Sequence, residues 1–167
     1  MSNYTNFRDL KTSQAIGFLL IPVVLYMVND FKLEKSISEF ANHIPLTFGF
    51  LLTLSGAVFF YDGYVDRKRW FNTIIGIGLF GVVLFLNTDC PILHYSFATV
   101  FFLGSIFNMV RYSSKEQRLF KIFIGIFIIL GMLGHYILGY YSLFWAEWLG
   151  MLPISVHYVL ELHDKID

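Results

Sequence analysis

Residues 120–140, FKIFIGIFIILGMLGHYILGY, decide the fold class. Beyond Lys121 the stretch carries no Lys, Arg, Asp or Glu. Its apolar residues run continuously instead of alternating, which argues against a barrel strand. Coiled as an α-helix it satisfies its own backbone hydrogen bonds without water. A hydrocarbon core of about 30 Å needs roughly 17–25 helical residues, and this run is of that length.

Five further runs have the same character, at about residues 13–28, 44–61, 70–86, 92–110 and 144–160, none with Lys or Arg in its interior. The first is the shortest and contains Pro22. It does not read as a cleavable signal peptide, because no basic segment abuts it and no small-x-small site follows it. The expected fold is therefore all-α: a single polytopic bundle of six transmembrane helices over residues 1–167, a multi-pass integral membrane protein.

Composition agrees. Hydrophobic residues make up 56% of the 167 and charged residues 14%, against averages of about 45–50% and about 25%. Nineteen Phe and ten Tyr exceed what one small soluble core can bury. Disorder is excluded, since disordered chains are poor in apolar residues. Twelve basic residues balance twelve acidic ones, leaving no cationic excess for nucleic acid. With Cys90 as the single cysteine, no intrachain disulfide or cysteine-cluster metal site can form.

Charge predicts the orientation. Arg8 and Lys11 precede span 1, and Arg67, Lys68 and Arg69 join spans 2 and 3. Arg111, Lys115, Arg118 and Lys121 join spans 4 and 5, and Lys165 follows span 6. Only Lys32 and Lys35 fall on the other side. Short basic loops stay cytoplasmic, so both termini are expected there. The longest outer loop, residues 29–43, contains Ser36-Ile37-Ser38-Glu39, which fits a capping box. A short interfacial helix leading into span 2 is expected.

Oriented this way, the ionisable residues form a layer near the outer leaflet: Glu39 and His43 before span 2, Asp89 before span 4, His94 at its top, His135 near the outer end of span 5, and Glu147 about one turn into span 6. Such groups are expensive in a membrane and face a bundle interior or a wet cavity. His94 shares a helical face with Ala98, Ser105 and Asn108, Glu147 with Met151, Ile154 and Tyr158, and Ser55 with Asp62. Gly131 and Gly139 flank His135, so a neighbouring helix is expected to approach there.

Several readings follow. The layer is either an interhelical hydrogen-bond network that holds the bundle, or a pocket for a lipid head group, or a catalytic site. His94, His135 and Glu147 are ligand types that zinc accepts, and a bound metal could activate water; yet no HExxH and no His pair at i, i+4 is present. His94 and His135 could also be axial haem ligands, with His157 the only candidate in the inner half. No cofactor is expected on the pocket reading, and membrane lipid is the expected partner. Gly76-Ile77-Gly78-Leu79-Phe80-Gly81 matches a dinucleotide string, but inside an apolar helix it reads as close helix packing. Trp70, Trp145 and Trp148 read as interfacial anchors.

Three segments together resemble the family of DRAM, FRAG and SFK membrane proteins, the autophagy modulators, GPI-anchor remodelling proteins and their fungal relatives. These are Ile37-Ser38-Glu39 followed by Pro45 and Phe48; Pro91-x-x-His94-x-x-x-Ala98 with Phe101, Phe102 and Gly104; and Glu147-Trp148. Glu39-Phe40-Ala41 stands where many members have Gly, and the tail after span 6 is short. The resemblance implies six spans, a lipid-linked or regulatory role, and Ser38, His94 and Glu147 as the positions of interest. A looser likeness to the ceramidase and progestin-receptor superfamily implies the alternative, a metal-dependent intramembrane lipid amidase or esterase. Its paired histidines on the last helix have no match, since His157 and His163 are six apart.

Overall fold

The computed structural model describes residues 2–65 and 69–162. The topology residues Arg67, Lys68 and Lys165 lie outside the described residues, as do His163 and the side chain of Arg8. Helix α1 runs over Ser2–Val28, α2 over Pro45–Val65, α3 over Phe71–Leu84, α4 over Pro91–Arg111, α5 over Arg118–Leu133 and α6 over Leu143–Leu162. A 3-10 turn at Ser38–Asn42 precedes α2, and a wide π turn at Gly134–Leu138 prolongs α5.

Five segments are long and apolar enough to cross a membrane: Lys11–Val28, Pro45–Val65, Pro91–Arg111, Arg118–Leu138 and Leu143–Leu160. The chain is thus all-helical with membrane-length helices. The third expected span departs from this. Helix α3 has only 14 residues, about 21 Å at 1.5 Å per residue. It stops because Phe85 turns to extended backbone, and residues 86–90 form a turn closed by the Asp89 and Cys90 amides on Leu86 O. Pro91 then opens α4, where its missing N–H costs nothing.

Two basic residues also sit differently from expectation. Helix α1 begins well before residue 13, so Lys11 belongs to the bundle instead of a preceding tail. Lys121 lies inside α5 and is 2% exposed, not in the α4–α5 connection.

The helices close a ring in chain order, with α6 packed on α1, α4 and α5, and α3 packed most extensively on α2 and α4. Helical periodicity explains which faces turn inward. On α2 the buried residues Phe48, Leu52, Ser55, Gly56, Phe59, Asp62 and Gly63 follow one stripe of a 3.6-residue helix, with Val58 buried beside it. The glycines of α3 allow its close approach on two sides. A Cβ at Gly76 would lie 2.6 Å from Gly56 O, and one at Gly78 would lie 3.2 Å from Phe101 N. The Gly76–Gly81 string is therefore a packing device. Phe18, Phe59, Ile75, Leu79, Phe101 and Ile154 fill the centre.

Two ends follow from this topology. One carries the α1–α2 loop, with Lys32 and Lys35; the other, the basic end, carries Arg69, Arg111, Lys115 and Arg118.

Candidate functional site

At the loop end the chain between α1 and α2 folds over the bundle. Asn29 starts it, its side-chain amide donating to Lys32 O and to Glu34 Oε1, both at 3.0 Å. The capping box forms in altered form. Ser36 Oγ accepts the Glu39 amide at 3.2 Å as expected, while Glu39 Oε2 reaches back to the Lys35 amide at 3.1 Å. The result is one 3-10 turn with Ser38, Phe40 and Ala41 buried.

Helix α6 pins this loop at two points. The Phe144 amide donates to Lys35 O at 2.7 Å, and the Ile37 amide donates to Glu147 Oε2 at 2.5 Å. Trp148 next to it donates its indole N–H to Leu19 O at 3.3 Å, in the turn that precedes Pro22, so α6 also grips α1. The carboxylate thereby holds Ser38, the next residue, over the interior. Ser38 Oγ and Ser36 Oγ lie 3.0 Å apart.

His94, 2% exposed, enters from the first turn of α4. Its Nδ1 lies 2.8 Å from Phe85 O. A carbonyl only accepts, so Nδ1 carries the proton, and Nε2 is the lone-pair atom of the neutral ring. The contact also satisfies a backbone carbonyl left over where α3 ends.

Ser38, His94 and Glu147 line one cavity. Its other walls are apolar, chiefly Phe18, Phe48, Leu79, Ala98, Phe102 and Met151. A water-sized sphere has about 50 Å³ in which to place its centre, enough for a few waters or one small polar group. The three polar residues at one cavity bring an imidazole, a hydroxyl and a carboxyl group. No hydrogen bond joins Ser38 to His94 or His94 to Glu147 among the described residues, so they are not arranged as a nucleophile and its base.

The other four candidates stand apart. Glu39 caps the loop. His43 is exposed and pairs with Glu34 at 3.4 Å. Asp89 is exposed and accepts from Thr88 Oγ1 at 3.2 Å. The ring of His135 is turned to its own connection, Nδ1 lying 2.7 Å from Tyr141 O. Among the described residues a Cβ at Gly131 would meet only Tyr141 of that connection, and one at Gly139 would meet nothing within 4 Å. Tyr141 OH donates to Gly131 O and covers Gly134, and Gly139 supplies φ +63°, a left-handed conformation that suits glycine. Among the described residues no three His, Cys, Asp or Glu side chains gather to hold a metal. His94, His135 and Glu147 are thus not assembled as a metal trio.

A second polar centre lies nearer the basic end. Lys11 Nζ meets Asp62 Oδ1 at 2.7 Å. Asn72 Nδ2 donates to Asp62 Oδ2 at 2.6 Å, and Asn108 Nδ2 donates to Asn72 Oδ1 at 2.6 Å. Tyr158 OH donates to Asn72 Oδ1 at 3.2 Å and accepts from Asn108 at 3.0 Å. This chain ties α1, α2, α3, α4 and α6 together. Sequence reasoning found Asp62, Asn108 and Tyr158 on inward faces but missed Lys11 and Asn72. Their phase carried the signal: Lys11 precedes the buried Ala15, Phe18, Pro22 and Leu25 at four- and three-residue steps, and Asn72 precedes Gly76 and Leu79. This network has none of the members of the outer layer and lies at the other end of the bundle.

No curated protein and no solved structure matches the chain. Residues 20–162 match the model of a family of unknown function, DUF7103, and the chain belongs to that family.

Proposed function

We propose that this chain is a six-span membrane protein that receives the polar end of an amphipathic, lipid-like molecule in the cavity of Ser38, His94 and Glu147. The observation that carries the reading is the division of that cavity, three polar side chains from the loop, α4 and α6 against walls of Phe, Leu and Met. The volume suits one small polar group at the end of such a molecule, with Phe48, Leu79 and Phe102 beside it. The three polar positions are those to which the resemblance to DRAM, FRAG and SFK proteins points, and a lipid-interacting or regulatory role agrees with it. In this reading α3 is a short third span completed by Phe85 and Leu86, both termini are cytoplasmic, and the loop end faces outward, since the basic residues collect at the opposite end.

Native mass spectrometry of the protein purified in mild detergent tests this. Lipid adducts are expected on the natural chain and should fall sharply in Ala98→Leu, which fills the cavity. They should persist in Ala57→Leu, on the exposed face of α2. Equal adducts on both variants would overturn the assignment.

A further inference from the structure

Among the described residues that line the cavity of Ser38, His94 and Glu147, none is Lys or Arg, and Glu147 is the one acid. Lys32 and Lys35, the cations of the covering loop, are exposed and do not line it. The first amides of α6 are taken as well, Phe144 by Lys35 O, and Trp145 and Ala146 by Ser142 O. We propose that the polar end received there is an uncharged hydroxyl, that of a long-chain alcohol or an acylglycerol, and that phosphate-bearing head groups are rejected. The assignment rests on the reading of this cavity as the seat of a lipid-like molecule and narrows it to one chemical class.

Charge decides against the phosphate-bearing lipids. A phosphate would bring a negative charge beside a carboxyl group, between walls of Phe, Leu and Met and without a cation. Burying an unpaired charge costs far more than burying a neutral group that is hydrogen-bonded. A carboxylate end has the same fault. An ammonium end only donates, and it would give up its water against one carboxyl group that already accepts the Ile37 amide. Size agrees. About 50 Å³ for the centre of a water-sized sphere is room for a hydroxyl with a water or two, and a phosphodiester head group with its substituent is larger.

Hydrogen bonding decides for a hydroxyl, which donates once and accepts twice. His94 spends Nδ1 on Phe85 O at 2.8 Å, so Nε2 is the nitrogen left for the cavity. Glu147 spends Oε2 on the Ile37 amide, and among the described residues no other hydrogen bond reaches its carboxyl group. Ser36 and Ser38 share one hydrogen bond between their two hydroxyls. Ser36 already accepts the Glu39 amide, and when it donates to Ser38 the Ser38 proton is left for the cavity. A ligand hydroxyl thus meets His94 and Glu147 on one side and a donor at Ser38 on the other. It keeps a partner in either protonation state of ring and carboxyl, because it can reverse its own role.

Thermal unfolding of the full chain in phosphatidylcholine nanodiscs tests the class with four probes of one chain length: dodecanol, dodecylamine, dodecanoic acid and dodecyl phosphate. Dodecanol is expected to raise the midpoint in a saturable way, and the other three to do so only at concentrations about tenfold higher or more. Ser38→Ala should raise the half-saturating concentration of dodecanol about three- to tenfold, through loss of one hydrogen bond. Ala98→Leu should abolish the dodecanol shift, and Ala57→Leu, on the exposed face of α2, should leave it unchanged. Saturation by one of the other probes at a comparable or lower concentration, lost in Ala98→Leu, would overturn the hydroxyl class and keep the cavity reading. A dodecanol shift that survives Ala98→Leu, or no shift at all, would also overturn the class. The lipid adducts of Ala98→Leu and Ala57→Leu in native mass spectrometry then decide whether the cavity reading falls with it. Where Ala98→Leu does not fold, Ser38→Ala decides, and a half-saturating concentration equal to that of the natural chain would overturn the class.

Discussion

Glu147 and Ile37 are 110 positions apart, yet the Glu147 carboxylate accepts the Ile37 amide at 2.5 Å. With the Phe144 amide on Lys35 O, this bond closes the loop over the cavity and places Ser38 in its wall. The pocket is therefore a property of the α6–loop junction as much as of any one helix.

That junction can be tested by substitution. Glu147→Ala leaves the Ile37 amide without its acceptor, at a cost of about 1–3 kcal/mol for a buried donor. Glu147→Gln keeps an acceptor oxygen and should cost clearly less. Proteolysis between residues 30 and 44 should quicken in the alanine variant first. Equal protection in all three proteins would show that the bond does not hold the loop.

The polar chain at the basic end should behave as one unit. Asp62→Ala leaves the Lys11 ammonium and the Asn72 amide without the carboxylate they share, and is expected to cost about 3–5 kcal/mol. The double variant Lys11→Met, Asp62→Leu should recover much of that, because a buried ion pair contributes little beyond an apolar pair of the same volume. A double-mutant cycle in detergent gives the coupling. Additive losses would deny that the two residues interact.

Close packing of α3 on α2 gives a third expectation. At Gly76 an added Cβ meets backbone on α2, Gly56 O at 2.6 Å and Phe60 N at 2.7 Å, and backbone cannot swing aside. Gly76→Val should destabilise by about 1–3 kcal/mol or more through overpacking. At Gly17 nothing lies within 4 Å, and Gly17→Ala should be neutral or slightly stabilising, since alanine is the better helix former. Unfolding midpoints of the two variants check the contrast. Equal midpoints would contradict the α2–α3 contact.

The helical class and five of the long segments were legible because continuous apolar runs of span length have few other solutions in water or lipid. Within the third apolar run the α-helix covers only Phe71–Leu84, since hydropathy continues through Phe85 and Leu86 while the backbone has already turned. Of the candidate site, Ser38, His94 and Glu147 were found together, whereas His43, Asp89 and His135 were grouped with them by depth alone. Depth does not fix azimuth, and each of those three has a neighbour close in sequence that takes its polar atoms: Glu34, Thr88 and Tyr141. Lys11 and Asn72 were hidden for the opposite reason. A lysine near the start of a span reads as a topology signal until its helical phase is compared with the residues that follow.

Orientation can be read with the native thiol. Cys90 is exposed at the α3–α4 turn, on the loop end. A membrane-impermeant maleimide added to intact cells should label the natural chain. In a Cys90→Ser background, Ser142→Cys should also react and Ser114→Cys should not. Labelling of Ser114→Cys alone would reverse the orientation.

The central claim is that the cavity of Ser38, His94 and Glu147 holds the polar end of a lipid-like molecule. Its most direct test is cross-linking with a lipid that carries a photoactivatable group next to its head, followed by peptide mapping. Adducts are expected on residues that line the cavity, such as Ala98 and Phe102 on α4 or Met151 on α6, and they should be lost in Ala98→Leu. Adducts confined to the exposed faces of α2 and α5, unchanged in Ala98→Leu, would contradict it.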